Sequence, residues 1–270
     1  MKKIFIYTSI IILTIIVVGV IVVETSIVHV QLPHGAVLHV LPAPKDNQKH
    51  GAIVLCPGGG YAYLEKWKEG YRWFPFLYAH GYAVAMLEYR LPNQNRQAPM
   101  IDGAEAIRLM RKHAKEWNFD ENNVGIMGFS AGGHLASTLM VSEKASVRPD
   151  FGILFYPVTS MKKELTHKGS HDQLLGEKAS ERLENLYSNE LHVSSQTPPA
   201  YIAVSIDDQK VNPQNAVKFH DAMLAQKRAV TLHVYPSGGH GWKLFHGFPH
   251  QDQILDDLAE WLKENNNRKQ

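Results

Sequence analysis

The sequence predicts a doubly wound α/β fold, in which a mostly parallel sheet is covered by helices on both faces. Two observations lead to this prediction. Short apolar runs typical of buried strands alternate with longer helical patterns, and polar, glycine-rich loops directly follow several of those runs. With 270 residues, of which 44% are hydrophobic, the chain is long enough to bury one substantial core. The net charge of +2 and the scattered basic residues give no indication of a nucleic-acid partner.

The first 24 residues are expected to lie outside this fold. Lys2 and Lys3 precede an apolar run, residues 4–23, which at about 1.5 Å per residue is roughly as long as a bilayer core is thick. A cleaved signal peptide is the alternative to a transmembrane signal anchor, although its apolar region is usually shorter and ends at a small-residue site. We therefore expect an anchor helix or signal peptide at residues 1–24. Residues 25–270 are then an extracytoplasmic domain, either anchored to the membrane or secreted.

The strands are predicted in chain order from their apolar patterns. Two alternating stretches, residues 27–30 and 37–40, predict an antiparallel hairpin at an edge of the sheet. A continuous apolar run, as expected of a strand buried on both faces, lies at residues 52–56, and further strands are predicted at residues 82–89, 123–127, 152–156, 200–205 and 230–235.

Helices are predicted between most of these strands. A helical stretch is expected to end near His80, and Asp102 is predicted to cap a helix that runs to Trp117. Residues 158–199 show no strand pattern and predict an insertion over the C-terminal edge of the sheet. Further helices are predicted directly after residue 130, at residues 213–227 and at residues 251–263.

A serine stands at one of the predicted strand-to-helix turns. Ser130 has Gly128 and Gly132 two residues away on either side, which matches the G-x-S-x-G nucleophile elbow. This turn holds the serine in a strained conformation that projects its hydroxyl, and glycines allow the strand and helix to pack closely. A glycine-rich turn with no catalytic role is the alternative, so the motif indicates a nucleophile only if the chain also supplies an imidazole and a carboxylate to activate the serine.

An aspartate and a histidine follow two later strands, and they supply those partners. A serine hydroxyl needs an imidazole to take its proton and a carboxylate to hold that imidazole in the right tautomer. We predict these groups to be His240, which lies between glycines, and Asp208, with Asp207 as the competing carboxylate. The chain order Ser, Asp, His is that of an α/β-hydrolase triad. The histidines that compete with His240 are His233, His246 and His250.

A glycine loop after the strand at residues 52–56 provides the fourth part. Backbone N–H groups that point at the carbonyl oxygen stabilise the negative charge that develops there during acyl transfer. We predict an oxyanion hole made of the Ala131 N–H and an N–H of Gly59 or Gly60, and the sequence does not distinguish the two glycines. A phosphate-binding loop is the alternative, but neither a P-loop nor a dinucleotide-binding motif continues from these glycines.

Other polar side chains are given less weight. His134 is predicted to be a structural histidine, because the elbow helix carries it below the serine. His167 and His171 have the i,i+4 spacing of a metal pair, but Gly169 between them argues against it. Cys56 is the sole cysteine, and we expect neither a metal nor a cofactor. Candidates to line a substrate pocket are Tyr61, Tyr63, Trp67 and Glu69.

Several motifs together resemble the α/β-hydrolase esterases of the acetylxylan esterase-like, or acetyl esterase/lipase, family. They are LCPGGGY at residues 55–61, LEYRLP at 87–92, GFSAGGHLA at 128–136, FYPV at 155–158, TPP at 197–199 and GGHGW at 238–242. The resemblance extends over about residues 52–261. It implies hydrolysis of short acyl esters, often acetyl groups on sugars or xylan-type polysaccharide, with Ser130, Asp208 and His240 as the triad.

We therefore hypothesise a metal-independent serine carboxylesterase that acts on small-molecule or carbohydrate esters at the outer face of a membrane. One alternative is a serine peptidase of the prolyl-oligopeptidase type, which has the same triad in the same chain order. The other is a non-catalytic surface binding protein on the same fold.

Overall fold

The computed structural model describes residues 6–8, 27–93, 95–242 and 247–267. Its strands are β1 (Ile6–Thr8), β2 (Val28–Gln31), β3 (Val37–Leu41), β4 (Gly51–Cys56), β5 (Tyr82–Glu88), β6 (Val124–Phe129), β7 (Phe151–Phe155), β8 (Ala200–Ser205) and β9 (Val230–Tyr235). Its α-helices are α1 (Phe74–Ala79), α2 (Ala98–Lys112), α3 (Ala131–Met140), α4 (Lys168–Leu175), α5 (Glu181–Leu186), α6 (Gln214–Ala225) and α7 (Gln251–Asn267).

The strands form one sheet in the order β1-β2-β3-β5-β4-β6-β7-β8-β9. Every pair from β5 to β9 is parallel, whereas β1, β2 and β3 add to the edge in antiparallel fashion. The predicted hairpin at residues 27–40 and the mostly parallel sheet are both confirmed. Strand order reverses at β4, and open α/β sheets place their sites at such a point, beyond the C-terminal ends of the strands.

The core lies on both faces of the sheet, because side chains of a strand point alternately to either side. In β4, Ala52 and Val54 belong to the cluster that packs under α2, α3 and α6. Ile53 and Leu55 belong to the opposite cluster, which packs against α1 and α7. This two-sided burial explains the continuous apolar runs of the central strands.

Most of the predicted anchor segment falls outside the described residues. Ile6–Thr8, which belong to its apolar run, form strand β1 and pair antiparallel with β2. Over these three residues the structure therefore differs from the predicted transmembrane helix. No helix in the described part of the chain is long and apolar enough to span a membrane.

Two helix predictions are corrected. The stretch predicted to be helical up to His80 contains only one short α-helix, α1, which is preceded by a 3-10 turn at Tyr71–Trp73. Asp102 is not an N-cap, since α2 already begins at Ala98 and places Asp102 in its interior. There the buried carboxylate accepts hydrogen bonds from the guanidinium and the backbone N–H of Arg90.

The predicted insertion is confirmed as a helical segment. Between β7 and β8 the described chain forms α4, α5 and a 3-10 turn at Asn189–Leu191, with no strand. His171 holds this segment together, because its buried ring lies between the carboxylates of Asp172 and Glu184. This ring is not part of a metal site with His167, whose Nδ1 bonds instead to Ser170.

Candidate active site

The turn that carries Ser130 has the geometry predicted for a nucleophile elbow. Ser130 follows β6, precedes α3 and adopts φ +52° and ψ −118°, a conformation that non-glycine residues rarely take. The flanking glycines leave no room for a side chain. A Cβ on Gly128 would lie 2.4 Å from the carbonyl oxygen of Gly132, and one on Gly132 would lie 2.0 Å from that of Cys56. The turn therefore holds the serine rigidly at the C-terminal edge of the sheet.

The structure brings Ser130, His240 and Asp208 into one hydrogen-bonded chain. Ser130 Oγ lies 2.8 Å from His240 Nε2, and His240 Nδ1 lies 2.7 Å from Asp208 Oδ2. The other carboxylate oxygen of Asp208 accepts the backbone N–H groups of Lys210 at 2.8 Å and Val211 at 3.0 Å. Because Asp208 accepts the proton on Nδ1, the Nε2 lone pair of His240 is free to accept the serine proton.

The residues that compete for these two roles have other partners. Asp207 accepts the backbone N–H groups of Gly238 at 3.2 Å and Gly239 at 2.8 Å, so it orders the turn that leads into His240. His233 pairs with Asp257, and His250 Nε2 bonds to the hydroxyl of Ser237. His246 lies outside the described residues. Asp207 thus contributes to positioning the histidine without touching it.

The glycine loop lines the same cavity as Ser130. Gly59 and Gly60 have φ values of +120° and +65°, and a Cβ on Gly59 would lie 2.2 Å from the carbonyl oxygen of Tyr63. Within the described chain, neither glycine N–H donates to a protein acceptor, whereas the Gly58 N–H is occupied by Glu69. Ala131 is the first residue of α3, where backbone N–H groups lack intrahelical partners. Ala131, Gly59 and Gly60 therefore all remain candidates for an oxyanion hole.

Glu69 is a buried carboxylate beneath this loop, a role that the sequence did not reveal. One oxygen accepts the Gly58 N–H at 2.7 Å, and the other accepts the Tyr156 hydroxyl at 3.0 Å. Burial raises the pKa of Glu69, while these two bonds and nearby His240 act in the opposite direction. The ring of Tyr156 in turn contacts that of His240 edge-on, with centroids 4.8 Å apart. Glu69 thus connects the glycine loop to the histidine.

His134 is a structural histidine, as predicted. Its Nε2 lies 2.8 Å from the carbonyl oxygen of Tyr187 and must carry the proton, so its Nδ1 accepts the Tyr61 hydroxyl at 2.8 Å. Complete burial lowers the pKa of His134 to about 4, which keeps the ring neutral. Tyr61 is therefore buried as an anchor of the glycine loop, and the expectation that it lines a pocket is wrong.

A cavity of about 600 Å³ opens above Ser130. The glycine loop and His240 form its floor, and the insertion contributes His167 and Gln173 to its wall. Of the other pocket candidates, Tyr63 and Glu69 line the cavity, whereas Trp67 is exposed and is not among the lining residues.

The described chain also resembles known proteins. The family model described as BD-FAE matches residues 38–223. The acetylxylan esterase of Xylanibacter ruminicola is 41% identical over 223 residues, which make up 81% of this chain and 46% of that protein. The endo-1,4-beta-xylanase B of Butyrivibrio fibrisolvens is 30% identical over 217 residues, 73% of this chain and 33% of that one. The chain thus spans less than half the length of these two relatives.

Among solved structures, the acetyl ester-xyloside bifunctional hydrolase from Caldicellulosiruptor lactoaceticus superimposes with a TM-score of 0.78. It is 31% identical, and the match covers 86% of this chain and 89% of that chain. The names of the acetylxylan esterase and of the acetyl ester-xyloside hydrolase agree with the sequence-based expectation of a carboxylic ester hydrolase.

Proposed function

Because the chain belongs to the BD-FAE family of α/β hydrolases, we propose that it is a serine carboxylesterase that removes short acyl groups, above all acetyl groups, from sugars or xylan-type carbohydrate. The observation that carries this proposal is the unbroken hydrogen-bonded chain from Ser130 through His240 to Asp208. It begins at a serine whose strained backbone and position on the cavity lining fit a nucleophile rather than a helix cap.

Acylation follows from this geometry. Ser130 Oγ attacks the ester carbonyl carbon while His240 Nε2 takes its proton, and Asp208 stabilises the imidazolium through Nδ1. The oxyanion accepts the N–H of Ala131 and that of Gly59 or Gly60, donors that are worth about 3–4 kcal/mol each in the transition state. The C–O bond to the alcohol then breaks, and the alcohol leaves with the proton from His240. An acyl group remains on Ser130.

Deacylation repeats these steps with water. His240 Nε2 takes a proton from water as the water oxygen attacks the acyl carbon, and the same N–H groups bind the oxyanion. The bond to Ser130 Oγ breaks, the serine regains its proton from His240, and the carboxylic acid is released. Glu69 supports both halves of the cycle because it fixes the loop at Gly58 and lies near the imidazolium.

The polar wall of the cavity supports a carbohydrate as the alcohol. Lysine, glutamine, histidine and carboxylate side chains line the space above Ser130, and these groups suit a polyol better than an alkyl chain. The names of two similar proteins, an acetylxylan esterase and an acetyl ester-xyloside hydrolase, support acetyl as the acyl group.

Hydrolysis of phenyl acetate and of an acetylated methyl xyloside by the purified full chain tests this function. Ser130→Ala is expected to lose at least about 10³-fold in kcat on both esters, because no other group can form the acyl-enzyme. Ser146→Ala, which changes an exposed serine, is the matched control and should retain wild-type rates. Equal rates for wild type and Ser130→Ala would refute the assignment. Cleavage of a prolyl amide in place of the esters would favour the peptidase alternative.

We further propose, from the sequence alone, that residues 1–24 deliver this domain to the outer face of a membrane. Lys2 and Lys3 before the apolar run are the supporting pattern. Membrane fractionation of cells that express the full chain tests this, with a variant lacking residues 1–24 as control. The protein should sediment with membranes only in the full-length form. Recovery of both forms in the cytosol would contradict it.

A further inference from the structure

His167 stands at the wall of the cavity that Ser130 and His240 also line. It lies in the insertion immediately before α4, and its ring lines the same cavity as Ser130 and His240. A methyl group placed on Gly60 would be 3.7 Å from His167 Cε1, so the ring packs beside the glycine loop. The reaction described above gives His167 no role.

The hydrogen bonds of His167 determine which of its nitrogens carries the proton. Nδ1 accepts the backbone N–H of Ser170 at 3.2 Å, and the Ser170 hydroxyl lies 2.9 Å from the same nitrogen. A nitrogen that accepts a backbone N–H has no proton, so in the neutral ring the proton is on Nε2. No protein group of the described chain accepts from this Nε2–H. The cavity therefore contains one histidine N–H that is fixed in direction and unused.

The position of His167 indicates which part of the ester it meets. During acylation the oxyanion points to the glycine loop, and the departing alcohol points to His240 Nε2, which protonates it. His167 lies next to Gly60 and lines the same cavity as Ser130 and His240. A donor on the wall of this cavity is placed to meet the alcohol portion of a substrate beyond the oxygen that leaves.

We propose that His167 is a specificity-determining residue for the alcohol, and that its Nε2–H donates to a hydroxyl oxygen on the sugar carbon next to the esterified one. This inference rests on the proposed esterase function and narrows its substrate to esters with a neighbouring hydroxyl. A simple aryl ester has no such oxygen and gains nothing from His167.

The surroundings of His167 keep it suited to this role. Burial, followed by the charges of His240 and Lys210, lowers the pKa of His167. The ring therefore stays neutral at neutral pH, so it retains the donor on Nε2. It also adds no positive charge to the cavity at the moment when His240 becomes an imidazolium.

Substitution of His167 by asparagine separates its proposed contact with the substrate from its role as the N-cap of α4. His167 caps α4 through Nδ1, and asparagine caps a helix equally well but is too short to place a donor in the cavity. For His167→Asn we expect kcat/KM on a monoacetylated methyl xyloside with a free neighbouring hydroxyl to fall about tenfold, as one hydrogen bond predicts. The rate on phenyl acetate should stay within about twofold of wild type.

A deoxy ester, the same xyloside with the neighbouring hydroxyl replaced by hydrogen, allows the change in the enzyme and the change in the substrate to be combined. Wild type should hydrolyse this deoxy ester about tenfold more slowly than the hydroxyl ester, whereas His167→Asn should hydrolyse the two equally. His192→Asn, which changes an exposed histidine of the same insertion, is the matched control and should behave as wild type.

Three results with the variants would overturn the inference. The first is an equal loss of kcat/KM on the xyloside and on phenyl acetate in His167→Asn. The second is a His167→Asn enzyme that still discriminates fully between the hydroxyl and deoxy esters. The third is a loss that occurs only in His167→Ala, which removes the helix cap as well. Wild type that cleaves phenyl acetate but not the xyloside would also overturn it and would leave the esterase function standing. Wild type that cleaves neither ester would instead refute the proposed function itself.

Discussion

Asp207 and Asp208, which are adjacent in the loop after β8, should respond very differently to replacement by asparagine. Asp208 is fully buried and bonds to His240 Nδ1 through one oxygen and to two backbone N–H groups through the other. In Asp208→Asn the single amide oxygen is required by those N–H groups. The amide NH₂ must then face His240, which can bond to it only if Nδ1 gives up its proton. Nε2 becomes protonated and can no longer accept the serine proton.

The magnitude follows from this reversed tautomer. Loss of the general base in an otherwise intact site lowers kcat by about 10⁴-fold, or roughly 5 kcal/mol in the barrier. Asp207→Asn, in contrast, retains an oxygen that can accept one of the two N–H groups of Gly238 and Gly239. The loss of one exposed hydrogen bond is worth about 0.5–1.5 kcal/mol, which limits the fall in kcat to about tenfold.

Steady-state rates on phenyl acetate measure this difference, with thermal unfolding of each variant as the check that both remain folded. The expected order is wild type, then Asp207→Asn within about tenfold, then Asp208→Asn at least about a hundredfold below Asp207→Asn. Equal losses in the two variants, or an Asp208→Asn enzyme within tenfold of wild type, would refute the assignment of Asp208 as the residue that orients His240.

Three further substitutions test the scaffold of the site. The single amide oxygen of Glu69→Gln can accept from only one of the two donors, the Gly58 N–H and the Tyr156 hydroxyl. We therefore expect the free energy of unfolding in urea to fall by about 1–3 kcal/mol, and kcat to fall 10- to 100-fold as the loop at Gly58 shifts. An unchanged kcat would contradict this. Gly132→Ala brings a methyl group within 2.0 Å of the Cys56 carbonyl oxygen and should lower the free energy of unfolding by more than about 3 kcal/mol. A variant as stable as wild type would contradict this, because it would show that the turn can adjust to the methyl group. Burial lowers the pKa of His134 to about 4 in the folded chain. As the pH falls from 6.5 towards 4, this histidine therefore becomes protonated in the unfolded chain while it stays neutral in the folded one. The free energy of unfolding should therefore drop by about 2–3 kcal/mol between pH 7 and pH 4.5, and His134→Gln, which keeps a donor and an acceptor, should lack that slope.

The sheet and the reacting groups were predictable because local patterns encode them. The central strands are buried on both faces, so each shows as an unbroken apolar run, and the strand predictions between residues 52 and 235 are confirmed within one or two residues. The fold then places the C-terminal ends of β6, β8 and β9 at one edge of the sheet. That geometry is what brings Ser130, Asp208 and His240 together from positions up to 110 residues apart.

The parts that escaped prediction depend on contacts between distant segments. Asp102 resembles an N-cap in sequence, and only its bond to Arg90 across the fold shows why it lies inside α2. The stretch after the glycine loop has helical composition, but Glu69 must reach back to Gly58, which bends the chain into turns. The position of His167 likewise follows from how the insertion packs over Gly60, and no local pattern specifies that.

Labelling with a fluorophosphonate tests the central claim, that Ser130 is an activated nucleophile, most directly. Intact-mass measurement of the full chain should show one adduct per molecule, and peptide mapping should locate it on Ser130. Ser130→Ala should take up no label, while Ser146→Ala should be labelled as wild type. An adduct on another residue, or a folded wild-type protein that hydrolyses esters yet takes up no label, would contradict the account.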